Sequence, residues 1–317
     1  MEGRSAGARR SSLLVRAAGG KAPRPPRRAG IGDDRGVDLP EQPSVGRRPV
    51  SAAETVAAQR AWWDAEASAY RAEHGAFLGD GRPGSDLVWG PEGLREADAG
   101  LLGELSGRTV LEIGAGAAQC ARWVAGRGAR VVATDLSLGM LREGRAAQRG
   151  AGAGGEGEEA APAVPLLQCD ARVLPFAADS FDVVFTSYGA LPFVADADAV
   201  LAEAARVLRP GGRFAASVPH PVRWALPDVP GPQGLTATHS YFDRRPYVEA
   251  DEHGRVTYAE HHRTVGDWVR LLRAAGLVVA DLVEPPWLAG DAVWGGWSRL
   301  RGELLPGTLV LVADLPA

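Results

Sequence analysis

Apolar residues along the chain follow two different periods, and a regular alternation between them begins near Arg108. Short apolar runs predict strands at residues 110–113, 131–134, 164–169, 181–186 and 213–218, with two more near 277–283 and 308–314. Apolar residues at helical spacing predict helices between them, at residues 117–125, 137–148, 198–208 and 265–275. Repeated strand–helix units favour a parallel, doubly wound α/β sheet with right-handed crossovers.

The chain before this region has a different character. Residues 1–50 are rich in Arg, Gly and Pro and contain no aromatic side chain, so they cannot bury enough surface to offset their ordering entropy. We predict a disordered tail over residues 1–50 and a single domain over residues 51–317. Ser51 and Glu54 have capping-box spacing and predict a helix that runs to about Tyr70, and a second helix is predicted over residues 92–105.

Two later segments interrupt the alternation. Residues 150–161 consist of Gly, Glu and Ala, and they predict a flexible surface loop. Residues 220–260 are rich in Pro, His and Tyr, and we interpret them as an insertion that covers a bound substrate.

Charge separates the tail from the rest of the chain. Residues 1–50 carry 11 basic and 5 acidic side chains, whereas the remainder carries 24 and 34. The tail would also fit an organelle presequence or a nucleic-acid-binding arm, although a plain tail is the simpler interpretation. The acidic remainder is unsuited to binding phosphate backbones, so we expect no nucleic-acid partner.

The two cysteines, Cys120 and Cys169, form no C-x-x-C pair. They are interpreted as reduced thiols, which fits a cytoplasmic protein. No apolar run approaches the ~20 residues that a membrane-spanning helix needs, so no span is expected. His253, His261 and His262 match no standard ligand spacing, and we predict no metal site.

The most informative stretch is Val110-Leu111-Glu112-Ile113-Gly114-Ala115-Gly116, where a predicted buried strand ends in a glycine turn before a helix. Glycines allow a sharp turn and close approach to a ligand, and the unpaired N–H groups at a helix start favour an anionic group. The dinucleotide-binding fingerprint requires a third glycine, but Gln119 stands at that position. The turn therefore predicts a small-molecule site of a different kind.

Four segments together resemble the class I S-adenosylmethionine-dependent methyltransferases, most closely the ubiquinone/menaquinone-methyltransferase-like small-molecule branch. They are the glycine turn, residues 132–137 (Val-Ala-Thr-Asp-Leu-Ser), residues 168–176 with Gln-Cys-Asp-Ala and Leu-Pro-Phe, and residues 181–185 with the later Leu-Arg-Pro-Gly-Gly at 208–212. The resemblance covers about residues 105–220. It implies a Rossmann-like, doubly wound sheet of seven strands, mostly parallel with an antiparallel last strand, and with helices on both faces. It also implies that residues 51–105 form a helical lid.

The resemblance implies S-adenosyl-L-methionine as the cofactor. Glu112 would place negative charge near the ammonium and sulfonium groups, and the backbone of Gly114, Ala115 and Gly116 would bind the methionine part. Asp135 would accept hydrogen bonds from both ribose hydroxyls. A carboxylate at this position also occurs in nicotinamide-dinucleotide proteins, so Asp135 does not discriminate between the two cofactors.

The adenine ring is assigned to the third predicted strand. Asp170 would accept a hydrogen bond from the adenine amino group, the backbone N–H of Ala171 would contact the ring, and Leu136 and Phe176 would sandwich it. Ser187, after the fourth strand, is assigned to the same cofactor site. Structural roles remain open as well: Glu112 could pair with an arginine, Asp170 could be an ordinary turn residue, and the two apolar side chains could be core.

Methyl transfer is an in-line displacement, so the protein mainly aligns the reacting atoms, and a hydroxyl or carbon nucleophile also needs a base. His220, after the fifth strand, is the first choice of base, with a loop-fixing hydrogen bond as the alternative role. Tyr188, after the fourth strand, is expected to face the transferred methyl group. Three further histidines are candidate bases: His239, His261 and His262. Three aromatic residues are candidates for the substrate pocket: Trp224, Tyr241 and Tyr247.

These observations predict a methyltransferase that transfers a methyl group from S-adenosyl-L-methionine to a small-molecule acceptor, either quinone-like, phenolic or a natural product. The Asp/Asn-Pro-Pro-Tyr signature of enzymes that methylate amino groups of DNA or glutamine is missing, because residues 187–190 are Ser-Tyr-Gly-Ala. Two alternatives stay open: an NAD-dependent oxidoreductase, and a non-catalytic protein that binds S-adenosylmethionine.

Overall fold

The computed structural model describes residues 44–75, 86–151 and 163–317. The strands are β1 (Ser44–Arg47), β2 (Thr109–Ile113), β3 (Arg130–Asp135), β4 (Leu166–Gln168), β5 (Phe181–Ser187), β6 (Leu208–Pro219), β7 (Tyr247–Ala250), β8 (Val256–Glu260), β9 (Val278–Val283) and β10 (Thr308–Asp314). The α-helices are α1 (Ala52–His74), α2 (Glu96–Ala99), α3 (Gln119–Ala125), α4 (Leu138–Ala151), α5 (Ala197–Val207), α6 (Val265–Ala274) and α7 (Arg299–Gly302). Short 3₁₀ helices span Leu191–Phe193, Pro221–Ala225 and Pro232–Leu235.

The main sheet has seven strands in the order β4-β3-β2-β5-β6-β10-β9. The first five are parallel, and β10 is antiparallel to both of its neighbours. From β2 the chain winds outward to β4 and then returns to begin again at β5, so the strand order reverses between β2 and β5. The predicted Rossmann-like sheet with an antiparallel last strand is confirmed.

The core lies on both faces of this sheet, because successive strand residues point to opposite sides. On one face Leu111 and Val184 pack in a fully buried cluster with residues of α5 and α6. On the other face Val110 and Phe185 pack with residues of α3 and of the segment before β2. Helices therefore cover both faces, as predicted.

The predicted start of the first helix is confirmed. Ser51 Oγ accepts a hydrogen bond from Glu54 N at 3.2 Å, and the Glu54 carboxylate accepts one from Ser51 N at 3.1 Å. This reciprocal pair satisfies two of the N–H groups that a helix start leaves unpaired. The helix extends to His74, one turn beyond the predicted end.

The helix predicted over residues 92–105 does not form, and only Glu96–Ala99 is helical. Gly93, Gly100 and Gly103 all adopt positive φ, at 92°, 61° and 73°, which is incompatible with a continuous right-handed helix. Glu96 is buried, and its carboxylate accepts hydrogen bonds from the backbone N–H groups of residues 101 and 102 at 3.0 and 2.7 Å. The segment is thus a series of turns held by a buried acid.

The boundary of the predicted disordered tail also needs a correction. Ser44–Arg47 forms β1, which pairs antiparallel with β7 in a small sheet of order β1-β7-β8. Arg47 Nη2 donates to the Trp224 carbonyl at 2.6 Å, and the guanidinium lies 4.3 Å from the Trp224 ring centroid. These partners are distant in sequence, so the local composition of the tail carried no sign of them. Residues 1–43 and most of the predicted 150–161 loop lie outside the described residues.

Within the described parts of the chain, no helix combines the length and apolarity needed to cross a membrane.

Candidate active site

A large cleft opens at the carboxyl ends of β2 and β5, where the strand order of the sheet reverses. Open α/β sheets bind ligands at such reversal points. The cleft is lined by almost all of the site residues predicted from the sequence: Glu112, Gly114, Ala115, Gly116, Asp135, Leu136, Asp170, Ala171, Ser187 and Tyr188. The exceptions are His220 and Phe176, which do not line it.

The glycine turn after β2 is confined by the neighbouring strand end. Gly114 has a φ of 66°, and a Cβ at this position would lie 2.6 Å from the backbone nitrogen of Ala190. Gly189 is equally confined, because its own Cβ would overlap the carbonyl oxygen of Gly114. Two glycines therefore let the ends of β2 and β5 approach closely and leave bare backbone at the floor of the cleft.

The turn is fixed from the side of β3. Ala115 N donates to the Thr134 carbonyl at 2.9 Å, and Gly116 N donates to Asp135 Oδ2 at 2.7 Å. The other carboxylate oxygen of Asp135 accepts from Ser137 N at 2.8 Å. Burial raises the pKa of Asp135 to about 6, although the N–H donors of Ser137 and Gly116 oppose the rise. The carboxyl group predicted to bind ribose is thus held at the rim by two backbone donors.

Glu112 is the acid at the base of the turn, and it is 2% exposed. Its Oε2 accepts a hydrogen bond from Ala121 N, in the first turn of α3, at 2.8 Å. Burial raises the pKa of Glu112 to about 8, and the hydrogen bond from Ala121 only partly offsets it. A buried carboxyl group with this pKa is poised to ionise when a cation enters the cleft.

Asp170 lines the cleft but already has a partner. Arg172 donates to it from Nε at 3.0 Å and from Nη2 at 2.7 Å, and Arg172 Nη1 also reaches Asp196 at 3.0 Å. Burial alone would raise the pKa of Asp170, but the hydrogen bonds from Arg172 outweigh it and leave the pKa lowered. Phe176, predicted to stack on adenine, is not part of the cleft wall and packs edge-on against Phe181 at 5.0 Å.

Another part of the cleft wall is formed by aromatic side chains. Trp63 and Tyr70 come from α1, Phe193 from the 3₁₀ helix after β5, and Trp294 from the segment before α7. Trp63 lies 5.2 Å from Tyr70 and 5.7 Å from Phe193, both in edge-to-face contact. Tyr70 and Trp63 both belong to the region 51–105 that was expected to form a helical lid. Sequence reasoning missed Phe193 and Trp294, which belong to no recognisable motif.

The acidic residue Asp86 also lines the cleft, near Gln119 and Cys120, and sequence reasoning missed it as well. Its Oδ2 lies 3.4 Å from Arg95 Nη1, and its Oδ1 is buried without a hydrogen-bond partner. It stands directly after residues 76–85, which lie outside the described residues, and no motif pointed to it.

Ser187 and Tyr188 mark the end of β5. Ser187 Oγ donates to the Val88 carbonyl at 2.9 Å, which ties the strand to the segment before α2. Tyr188 has a φ of 54°, and its hydroxyl lies 2.9 Å from Thr308 Oγ1. Left-handed backbone at a tyrosine is sparsely populated and is found preferentially at functional sites.

His220 lies in a separate small pocket. Its Nδ1 accepts from Val222 N at 3.1 Å and its Nε2 lies 2.8 Å from Glu284 Oε1, so it has the loop-fixing role considered as the alternative. His261 and His262 line the same small pocket, and His239 lines neither. The structure therefore brings none of the four histidines to the cleft, and the assignment of His220 as base is not supported.

The insertion over residues 220–260 is described throughout, and none of its residues lines the cleft. Trp224 stacks on His262 at 4.9 Å instead of facing a substrate, and Tyr241 packs on the same histidine at 5.6 Å. Tyr258, on β8, lies 5.3 Å from Trp62 and 6.1 Å from Phe193. Through Tyr258, the insertion thus packs against Phe193 of the aromatic wall.

Comparisons with known proteins agree with this geometry. A family model described as a methyltransferase domain matches residues 111–216. The demethylmenaquinone methyltransferase of Beutenbergia cavernae is 35% identical over 195 residues, which cover 62% of this chain and 71% of that protein. The demethylmenaquinone methyltransferase of Thermobifida fusca is 42% identical over 120 residues, covering 38% and 47%. The chain spans about half the length of most of the curated relatives that it matches.

Solved structures share the fold. An S-adenosylmethionine-dependent methyltransferase from Mesorhizobium loti matches with a TM-score of 0.54 and 28% identity, over 71% of this chain and 100% of that chain. The [4+2]-cyclase SpnF matches with a TM-score of 0.55 and 18% identity, over 86% and 100%. This second match shows the fold alone.

The sheet order, the glycine turn and these matches define a class I methyltransferase. The chain belongs to the S-adenosylmethionine-dependent methyltransferase family, in the branch that includes the demethylmenaquinone methyltransferases.

Proposed function

We propose that this chain transfers a methyl group from S-adenosyl-L-methionine to a small aromatic acceptor. The observation that carries the proposal is the mixed lining of the cleft. The lining combines a polar part, made of bare glycine backbone with Glu112 and Asp135, and an aromatic part, made of the rings of Trp63, Phe193 and Trp294.

The polar part fits the proposed cofactor. A side chain at Gly114 would fill the space beside Ala190, so the turn is shaped to leave backbone open to a ligand. Glu112 would face the cationic methionine part, and Asp135 would accept from ribose hydroxyls with the lone pairs that Gly116 and Ser137 leave free. When bound, this cofactor supplies an activated methyl group on a sulfonium. The protein's contribution is to hold donor and acceptor in line and to exclude water.

The adenine end departs from the expected pattern. Because Arg172 occupies both carboxylate oxygens of Asp170, we infer that this acid mainly orders the loop after β4. Leu136 and the backbone of Ala171 remain at the wall and are proposed to contact the ring.

The aromatic part suits a planar acceptor. Aromatic walls favour ring substrates because edge-to-face and offset contacts add to apolar burial. The relatives in the same branch are named for a demethylated menaquinone, and a naphthoquinol-type or phenolic ring is the acceptor class we propose.

Two measurements test the proposal. Calorimetry is expected to show binding of S-adenosylhomocysteine, and Asp135→Ala is expected to weaken it at least about 10-fold through the loss of charge-assisted hydrogen bonds. Glu252→Ala, on an exposed turn of the insertion, is the matched control and should bind as the wild type does. Transfer of labelled methyl groups should then be followed with 2-prenyl-1,4-naphthohydroquinone and simple phenols. Binding of NAD in place of S-adenosylhomocysteine would contradict the proposal, and binding without transfer to any ring acceptor would favour the non-catalytic alternative.

A further inference from the structure

A chain of three polar side chains leads from the cleft into the core. Tyr188 lines the cleft, and its hydroxyl lies 2.9 Å from Thr308 Oγ1. Thr308 Oγ1 in turn lies 2.5 Å from Glu92 Oε2. Thr308 and Glu92 are both fully buried, and Glu92 Oε1 has no hydrogen-bond partner. None of the sequence motifs drew attention to Glu92 or Thr308.

The number of protons in this chain fixes its polarity. A threonine hydroxyl has one proton, so when Glu92 is ionised Thr308 must donate to Glu92 and can only accept from Tyr188. The Tyr188 proton then points toward Thr308 Oγ1, with the Gly307 carbonyl at 3.4 Å as a longer second acceptor, and the Tyr188 oxygen keeps a lone pair that can accept. When Glu92 is protonated, each hydrogen bond in the chain can reverse its direction. Glu92 then donates to Thr308, Thr308 donates to Tyr188, and the Tyr188 hydroxyl is free to donate to another group. The chain therefore has two states that differ by one proton.

The surroundings keep the chain dry and closely spaced. Gly90, in the cleft wall, lies against Thr308, because a Cβ there would overlap Thr308 Oγ1 and lie 2.8 Å from Glu92 Oε2. Gly307 is confined in the same way against Glu92 Oε1. Burial raises the pKa of Glu92, and the hydrogen bond from Thr308 and nearby N–H groups only partly oppose it. A buried carboxyl group with a raised pKa takes up a proton more readily than an exposed one.

Other charged groups near the chain are already paired. Besides Glu92, the charged side chains that act on Tyr188 are Arg223 and Glu260. These two form a buried ion pair of 2.6 Å and largely neutralise each other. Burial raises the pKa of Tyr188 well above its usual value, so Tyr188 stays protonated and relays a proton without becoming the anion.

We propose that Tyr188, Thr308 and Glu92 form a proton relay that accepts the hydroxyl proton of a phenolic methyl acceptor. In this relay Tyr188 touches the substrate, while Thr308 and Glu92 act through it as positioning residues. The inference rests on the proposed function and narrows the acceptor to a ring that carries a hydroxyl group at the reacting position.

The proposed step balances. The acceptor O–H gives its proton to the Tyr188 oxygen, Tyr188 passes its own proton to Thr308, and Thr308 passes its own to Glu92, which becomes neutral. The acceptor oxygen forms a bond to the methyl carbon, the bond from that carbon to sulfur breaks, and the bonding pair stays on sulfur. The sulfonium thereby becomes a neutral thioether, and Glu92 later returns its proton to solvent.

The first test is the pH profile of turnover by the full-length protein with 2-prenyl-1,4-naphthohydroquinone and simple phenols, followed as S-adenosylhomocysteine release. Glu92→Gln and Tyr188→Phe should each lower kcat by about 10²–10⁴-fold, the usual contribution of general acid–base catalysis, with little change in KM for the methyl donor. In the wild type, kcat should fall at acid pH as Glu92 becomes protonated, and Glu92→Gln should lose this limb. The matched control is Glu96→Gln, since Glu96 is also a buried acid with a raised pKa but bonds Trp89 and backbone N–H groups instead of this chain. A wild-type pH profile in Glu92→Gln would overturn the relay.

The second test does not depend on turnover. In protein saturated with S-adenosylhomocysteine, added 4-nitrophenol should show more nitrophenolate absorbance than free 4-nitrophenol at the same pH, together with the infrared band of a protonated carboxyl group. The excess absorbance and the carboxyl band should both be absent in Glu92→Gln and present in Glu96→Gln. If the wild type binds the phenol without the carboxyl band, or does not bind it, the relay is wrong. If both signals appear while no acceptor is methylated, the relay stands and the proposed methyl transfer fails.

Discussion

At Gly114 the backbone conformation and the space around it both exclude a side chain. Its φ is 66°, and a Cβ would lie 2.6 Å from Ala190 N. Gly211 has a similar φ of 75°, but a Cβ at this position would have no atom within 4 Å. A substitution at Gly211 therefore measures the cost of positive φ alone, without a steric clash. We expect Gly211→Ala to cost about 1–2 kcal/mol of stability and to leave S-adenosylhomocysteine affinity unchanged. Gly114→Ala should lose at least about 10-fold in affinity by calorimetry, because Ala190 and the end of β5 must shift. Equal affinities for the two variants would contradict the proposed role of the turn.

The raised pKa of Glu112 makes a second prediction at the scale of one residue. Its pKa is about 8 in the folded protein and near 4.5 in the unfolded chain, so the folded state binds the extra proton between these values. Folding stability is then fully present below about pH 4.5 and falls as pH rises toward about 8. Glu112→Gln removes this penalty, and we expect its free energy of unfolding to exceed that of the wild type at pH 8 by roughly 1–3 kcal/mol, since one pKa unit corresponds to about 1.4 kcal/mol.

Urea unfolding of both proteins at about pH 5 and pH 8 measures this difference. The two should have similar stability at the lower pH, and a wild type that is more stable at pH 8 would refute the argument. Binding should show the opposite trend. A cationic ligand favours ionised Glu112, so wild-type affinity for S-adenosylmethionine should rise with pH up to about 8 and the variant should show little rise.

Among the elements, α1 is fastened over the cleft through one carboxylate. Asp64 Oδ1 accepts from Ser137 Oγ at 2.6 Å and from Gly139 N at 2.8 Å, so a residue of α1 caps the start of α4. Further along α1, Arg71 forms an ion pair of 3.1 Å with Glu143 of α4. Since Ser137 N also donates to Asp135, α1 and the acid proposed to bind ribose are held by the same residue.

Removing this anchor should loosen the lid. Asp64→Ala is expected to lower stability by about 0.5–2 kcal/mol, the usual cost of a lost N-cap, and to weaken S-adenosylhomocysteine binding. Glu73→Ala, an exposed acid on the same helix, is the control and should change both by little. Thermal unfolding and calorimetry measure the two effects. If Asp64→Ala binds with wild-type affinity, α1 does not couple to the cofactor site.

Elements were predictable where their signals are local. The caps at Ser51 and Thr264 depend on side chains within three residues, and both form as reciprocal capping boxes. The helix expected over residues 92–105 does not form, because three glycines in this range take positive φ. β1 was missed because a four-residue strand without aromatic residues depends on β7, about 200 residues away in sequence.

The same distinction explains the site. The turn residues, Asp135 and Tyr188 directly follow buried strands, so sequence alone placed them at one edge of the sheet. The aromatic wall and the Tyr188–Thr308–Glu92 chain are assembled from segments without a common motif, and only the folded arrangement of α1, β10 and the Trp294 segment brings them together. Asp170 is the opposite case. Its motif placed it in the lining of the cleft, but only the structure shows that Arg172 donates hydrogen bonds to its carboxylate.

On the scale of the whole molecule, β1 joins the segment before α1 to the insertion over residues 220–260, because it pairs with β7. The insertion over residues 220–260 backs the aromatic wall through Tyr258, and β1 extends the sheet to which Tyr258 belongs. Arg47 fastens this arrangement, because it donates to the Trp224 carbonyl and lies 3.8 Å from Asp243. The segment before α1 therefore supports the part of the cleft wall that is proposed to bind the acceptor, although residues 44–50 do not line the cleft.

Two truncations separate the contribution of β1 from that of the preceding residues. Deleting residues 1–43 keeps β1 and should leave the free energy of unfolding unchanged, whereas deleting residues 1–47 removes the strand and Arg47 and should lower it by about 1–3 kcal/mol, from lost hydrogen bonds and the Arg47–Trp224 contact. In the full-length chain, Arg47→Ala should reproduce part of this loss. Arg245→Ala, which removes a largely exposed partner of the same Asp243, should cost less than Arg47→Ala, because solvent screens exposed ion pairs. Equal stability of the two truncations would show that β1 contributes nothing. Weaker retention of ring acceptors by the longer deletion, with unchanged affinity for S-adenosylhomocysteine, would place its effect at the aromatic part of the cleft.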